Sequence, residues 1–460
     1  MFMKPTLLIG LLAFLVSTSF GWSQSAPLTC SPAPCVLSPT QVSQSGATDA
    51  SISVDPISPT SMLVGADTDC GPGSFLSTDG GTTWGNPICM RPMYIYTPII
   101  DPVVAYDRNG AAYIIGYYAN NDNVGIGLIG FQKSLDGIGW SAPARVTAQS
   151  PFISPDAPQL AIDTNFASPR LNNLYLSVTE YSCFPGCAGT RLVVAHSTDG
   201  GTTWKTTAVT PWQQIQSSDE FSNMAIGKDG TVYLTWQYCP GAGVTNRCGN
   251  STAYMVFSKS TDGGNTWSKP KTMAAVTLTT GGCACGYEGT LPNTHEGVRN
   301  TPVIGIDNST GPNAGSLYVA MYNWTGTYMQ VQVVRSKDGG TTWSKPVPVA
   351  PSTATHDQFF PWLSVSATGV VGVSWLDRRN DPANLSYQAF AAVSTNGGAT
   401  FGTNWQLTSA FSNPNNDGSG GTYMGDYTGN TWVGSTLYAA WMDTSNGITS
   451  QDVVGGLRLK

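Results

Sequence analysis

Charge is scarce in this chain. Asp, Glu, Lys and Arg make up 11% of its 460 residues, the formal net charge is −7, and nowhere do Lys and Arg gather into a run. A binder of nucleic-acid backbone needs clustered cations, so that class is excluded. Histidine occurs three times and no Cys-x-x-Cys pair occurs, which removes the usual ligands of a zinc site. Helical periodicity is missing beyond the N-terminus, and past that point no apolar run approaches the length of a membrane-crossing helix. What remains is a chain of strands and tight turns, rich in its 52 glycines.

The N-terminal stretch from Met1 to about Ala26 carries Lys4, an apolar run from Leu7 to Val16, and then small and polar residues. It is expected to be a secretory signal peptide, giving an extracellular or periplasmic protein. Residues 27–460 are expected to form one domain, acting as a monomer. The ten cysteines suit an oxidising destination. They fall into sequence-local pairs, and the expected bridges are Cys30 with Cys35, Cys70 with Cys89, Cys183 with Cys187, Cys239 with Cys248, and Cys283 with Cys285.

One octapeptide dominates the remainder. Ser-Thr-Asp-Gly-Gly-Thr-Thr-Trp stands at Ser77 to Trp84 and again at Ser197 to Trp204; Ser260 to Trp267 and Ser336 to Trp343 each change one residue. Ser394 to Phe401 and Ser134 to Trp140 are worn copies. Asp followed by Gly-Gly supplies positive-φ backbone and a carboxylate for the turn's own amides, so each copy is expected to be a β-hairpin turn. Repetition at this period is the mark of propeller blades.

The pattern Ser-x-Asp-x-Gly-x-Thr-Trp resembles the Asp-box, or BNR repeat, of the sialidase/neuraminidase superfamily. The resemblance covers residues 77 to 401 and implies a β-propeller. It also implies that Asp79, Asp136, Asp199, Asp262 and Asp338 are turn-formers on the face away from any ligand. Sialidases are six-bladed and use three arginines, a Tyr nucleophile helped by a Glu, and an Asp acid/base. No motif here carries those residues over.

A second repeat interleaves with the first: an apolar strand, a turn, then a strand rich in Tyr, Val and Trp. Its copies run Ile52 to Gly65, Val103 to Tyr117, Leu160 to Val178, Met224 to Trp236, Val303 to Ala320, Leu363 to Trp375 and Tyr427 to Trp441. Seven copies predict seven four-stranded antiparallel blades, with the six-bladed sialidase ring as the alternative. The last blade lacks a fourth strand, and Val36 to Ser43 has no partner. Pairing the two closes the ring and removes its edges.

Up-and-down blades place the octapeptide turns on one face and the starts of the inner strands on the other. Acidic residues stand at those starts: Asp49, Asp101, Asp156, Asp219 with Glu220, Glu296, Asp357 and Asp426. Such a ring suits paired-carboxyl glycoside chemistry and leaves room for calcium, though no metal or other cofactor is called for. The catalytic candidates are Asp156, Asp219, Glu220, Glu296, Asp357 and Asp426. Arg299 and Arg378 are candidate anion grips, and Trp236, Tyr322 and Trp375 candidate platforms for sugar rings. A glycan or glycoconjugate is therefore the expected partner. Three functions fit: a sialidase-type exo-glycoside hydrolase, a non-catalytic carbohydrate- or protein-binding propeller, and a polysaccharide lyase on the same scaffold.

Overall fold

The computed structural model describes residues 30–460 apart from 45, 47, 121–122, 149, 151, 183–188, 214–216, 241–251 and 280–288. The expected signal peptide, the Cys183–Cys187 pair and the Cys283–Cys285 pair lie outside the described residues. Seven four-stranded antiparallel sheets surround a central axis. The inner strands of blades I to VII are Ser51–Val54, Tyr96–Tyr106, Ile153–Ile162, Ser218–Ile226, Val303–Ile306, Gln358–Val365 and Gly429–Val433. An extra hairpin, Gly289–Thr290 with Gly297–Val298, stands between blades IV and V.

The apolar pattern explains why the blades stack. In blade III, Leu174, Leu176, Val178, Val193 and Ala195 pack on blade II against Val103, Tyr113, Ile115 and Phe131. The intervening residues Tyr175, Leu192 and Val194 pack on blade IV against Met224, Leu234 and Trp236. Alternation thus buries both sides of the same strands, which is why they carry so little charge.

Blade VII closes as expected. Cys35–Gln41 is its fourth strand, antiparallel to Gln451–Arg458, with Cys35 opposite Arg458 and Gln41 opposite Val453. A bulge falls between Leu37 and Thr40. The bridges Cys30–Cys35 and Cys70–Cys89 are present, and Cys239 is disulfide-bonded.

Each octapeptide is a self-satisfied turn that also clamps its neighbour. The Ser77 hydroxyl donates to Asp79 Oδ1 (2.8 Å) and accepts from the Gly81 amide (2.9 Å). Asp79 Oδ1 accepts from the Thr82 and Thr83 amides, and Oδ2 from the Thr83 hydroxyl at 2.6 Å. The second glycine touches the preceding blade: a Cβ on Gly201 would stand 2.2 Å from the Phe131 ring, and one on Gly340 2.2 Å from Phe257. Trp204 and Trp343 meet those same rings edge-on.

Candidate functional site

At the opposite face the inner strands begin with a distortion. Asp49, Asp101, Ala157, Phe221 and Phe360 all have positive φ, between 46° and 63°. The ladders of four of those blades shift register at this point, as between Asp156 and Gln159 and between Glu220 and Asn223. Non-glycine residues at positive φ cost on the order of 1–3 kcal/mol each, and a bulge re-aims the side chains beside it. An axial cavity of about 180 Å³ begins there, lined by Ser51, Gln159, Asn223, Trp362 and Tyr427 among others.

Three carboxylates from blades I, II and VII converge at this mouth. One oxygen each of Asp49, Asp101 and Asp426 lies within 4.8 Å of the others, and all three residues are buried. Asp49 accepts from the Asp426 amide at 2.5 Å and from the Tyr423 hydroxyl at 2.6 Å. Tyr423 also reaches Asp426 at 3.2 Å, and Arg299 pairs with Asp426 at 2.9 Å. Asp101 is 0% exposed and neither of its oxygens has a hydrogen-bond partner. Burial, then the charges of Asp156 and Asp49, hold the Asp101 carboxyl well above its ordinary range; Arg299 offsets only part of this. Asp67 is raised likewise, by burial and then Asp49.

Above this floor lie groups that solvent reaches. Asp156, Arg299, Tyr117 and Tyr423 are half-buried. The Arg299 guanidinium lies 5.0 Å from the centre of the Phe221 ring. Tyr117 meets the Ser154 hydroxyl at 3.3 Å. The Tyr423 hydroxyl is raised by burial and then by Asp426 and Asp49, so it stands protonated and donates to them.

The other expected site residues fall elsewhere. Glu296 belongs to the extra hairpin rather than to an inner strand; it is 1% exposed and accepts from the Met424 amide at 3.0 Å. Burial, then the neighbouring Asp417 charge, push it up to about 8. Asp417 itself is lowered, against its burial, by the amides of Gly421, Tyr423, Ser419 and Thr422. Asp357 is fully buried between blades V and VI, held by the Met329 amide, Asn384 and Arg378. Arg378 is also fully buried and donates to Pro292 O at 2.6 Å, so it is tied inside and does not face the mouth. Asp219 accepts from Trp236 Nε1 and Gln213, both at 2.7 Å, and Glu220 is fully buried.

The expected platforms are not open. Trp236 and Trp375 are each 1% exposed and Tyr322 is 0% exposed. The wedge between blades needs large rings to fill it, and Trp236 fills that between III and IV, Trp375 that between V and VI. Of the expected residues, then, Asp156, Asp426 and Arg299 are brought together; Asp49 and Asp101 of the acidic ring join them. Tyr423, Tyr427 and Asp67 were not singled out from sequence. The only signal for Tyr423 was its place three residues ahead of Asp426 in a segment without an octapeptide.

No protein-family profile and no curated protein matches the sequence. Solved structures do resemble the fold. An ulvan lyase from a polysaccharide lyase family aligns over 90% of this chain and 94% of its own, at 13% identity and a TM-score of 0.53. A Hadza microbial sialidase aligns over 88% and 75%, at 13% identity and a TM-score of 0.48. An α-L-arabinofuranosidase from Fusarium graminearum aligns over 80% and 96%, at 14% identity and a TM-score of 0.47.

Proposed function

We propose that this propeller acts on glycans at the channel mouth, as a glycoside hydrolase. The observation that carries the reading is the hydroxyl of half-buried Tyr423, 2.6 Å from Asp49 and 3.2 Å from Asp426, with Arg299 paired to that Asp426 and Asp156 acting on the adjoining Asp101. A hydroxyl within about 2.6–3.2 Å of a carboxylate is the geometry of a nucleophile and its base. In this scheme Tyr423 Oη attacks the anomeric carbon as its proton passes to Asp49. Asp156 gives a proton to the departing glycosidic oxygen, then takes one from the water that releases the sugar. Arg299, steadied by Asp426 and Phe221, orients the sugar. The propeller neighbours that cleave glycosides or polysaccharides are compatible with this at the level of fold.

The sialidase form of the reading needs three arginines around the substrate carboxylate. Among the described residues Arg299 alone belongs to the mouth cluster, since Arg378 is engaged by Asp357 and Arg379 by Asp377. An acidic floor beneath a single arginine favours a neutral sugar over a sialoside. The test is a panel of neutral aryl glycosides and sialosides with wild type, Tyr423→Phe and Asp156→Asn. Release of a neutral sugar by wild type, lost in Tyr423→Phe, is the expected result. Full turnover in Tyr423→Phe would discard the scheme. Glycan binding with no release from any substrate would replace it with a non-catalytic carbohydrate-binding propeller.

A further inference from the structure

The floor of the mouth has a chemistry that the glycan reading does not use. Asp49, Asp101 and Asp426 present oxygens contained within 4.8 Å of one another, and among the described residues the ion pair recorded with the group is that of Arg299 on the Asp426 edge. Like-charged carboxylates at that separation, out of water, repel strongly. Two buried polar side chains here are without a hydrogen-bond partner of ordinary geometry. Asp101 is 0% exposed with both carboxylate oxygens unbonded. Tyr427, 4% exposed, lines the axial cavity, and its hydroxyl also bonds to nothing. That hydroxyl sits in the field of Asp101, Asp49, Asp67 and Asp426. A buried hydroxyl and a buried carboxylate without partners are each expensive to leave so, by roughly 1–3 kcal/mol or more.

We propose that Asp49, Asp101 and Asp426, with the Tyr427 hydroxyl, form a site for a divalent cation of the calcium class on the propeller axis. The donor set is all oxygen, which selects a hard cation and disfavours zinc or copper. Size then separates calcium from magnesium. Oxygens on opposite sides of Ca²⁺ stand about 4.6–5.2 Å apart, whereas around Mg²⁺ they must close to about 4.0–4.2 Å. Mg²⁺ also demands near-ideal octahedral geometry, whereas Ca²⁺ tolerates the irregular set that oxygens lying within 4.8 Å of one another on packed strands supply. The ion neutralises charge contributed by blades I, II and VII, and so joins the two ends of the chain. The site stands whether or not a glycosidic bond is cleaved above it.

The full-length protein, purified without chelator, is analysed for metals by mass spectrometry, then stripped with EDTA and titrated with CaCl₂ or MgCl₂ while its thermal midpoint is followed. About one calcium per chain, a midpoint that falls on stripping and recovers with CaCl₂ at lower concentration than with MgCl₂, is the expected result. Asp101→Asn should lose the response to CaCl₂. Tyr427→Phe, which removes a hydroxyl that bonds to nothing and so should fold, should shift the titration about tenfold toward higher calcium. Wild type that retains no divalent metal, and whose midpoint ignores both salts, would overturn the proposal. So would an Asp101→Asn variant that responds to CaCl₂ as wild type does. Sugar release measured on the same stripped and reloaded samples keeps the two readings apart, because the metal and midpoint data stand without any turnover.

Discussion

On one face of the propeller the Asp79 carboxylate accepts from two amides and two hydroxyls within a single turn. On the other, the Asp101 carboxylate has no hydrogen-bond partner of ordinary geometry. The same side chain ends in opposite states. Asp262 is lowered to about 2, against its slight burial, by Thr266, Ser260 and the turn amides, and Asp199 to about 2 by the equivalent groups in its turn. Asp101 and Asp67 are raised by burial and by each other's neighbours. The difference lies in where hydrogen bonds come from. An octapeptide turn brings its own donors in sequence, so its aspartate is complete wherever the turn forms. The strand-start carboxylates meet only after seven blades have been assembled, and what they meet is each other. The first face is built for stability. The second keeps unsatisfied, perturbed carboxyls, the kind that gather in binding and catalytic sites.

The sharpest way to test this contrast is to remove one polar atom from the mouth. Tyr423→Phe should lower turnover by at least about a thousandfold while leaving the thermal midpoint near that of wild type, measured by sugar release and calorimetry on one preparation. A comparable loss of activity from an octapeptide substitution would break the comparison.

Glu296 offers a test by pH. Its carboxyl is raised from an ordinary 4.5 to about 8, so between those values the folded chain holds a proton that the unfolded chain has lost. The stabilisation tied to that proton is complete below the lower value and is lost as pH rises through the upper one. Glu296→Gln imitates the protonated acid. The variant should match wild type under acidic conditions and exceed its stability by a few kcal/mol near pH 8 and above, read from unfolding curves at a series of pH values. An unchanged slope would place the proton elsewhere.

For the opposite face, Asp79→Ala should cost about 1–3 kcal/mol by urea unfolding, because amides of a buried turn lose their acceptor, and kcat should stay as in wild type. The smallest effect is expected at the worn copy. Asn396 makes the same two amide contacts through Oδ1, but without charge. Asn396→Asp should raise stability by about 0.5 kcal/mol, since a charged acceptor strengthens these bonds; a loss would mean that the amide's donation to Thr400 outweighs it.

The same contrast governs what could be read from the sequence. Octapeptide turns are local, so their letters announced them, and counting inner strands gave seven blades, with one strand missing from the last blade and one strand, Val36 to Ser43, without a partner. The site is non-local. Position alone pointed to Asp156, Asp426 and Arg299, which the structure brings together, and equally to Asp357 and Glu296. Asp357 instead lies between two blades and Glu296 in the extra hairpin, because insertions and bulges decide which way each strand start turns. The rings of Trp236, Trp375 and Tyr322 suggested sugar platforms, yet wedge-shaped gaps between blades need the same rings. Tyr423 lies in a stretch with no repeat to compare it against, and only the contact between the chain's two ends identifies it.

That contact has a consequence for how the protein is made. Asp49 precedes blade I and Tyr423 and Asp426 precede blade VII, and the strand Cys35–Gln41 pairs with Gln451–Arg458. During synthesis Cys35–Gln41 must therefore wait for Gln451–Arg458 before it finds its partner, with an open sheet edge meanwhile. A chain cut short before Tyr423 lacks residues of the mouth. A ring left open at that edge thus leaves the mouth unassembled, whatever the remaining blades have achieved.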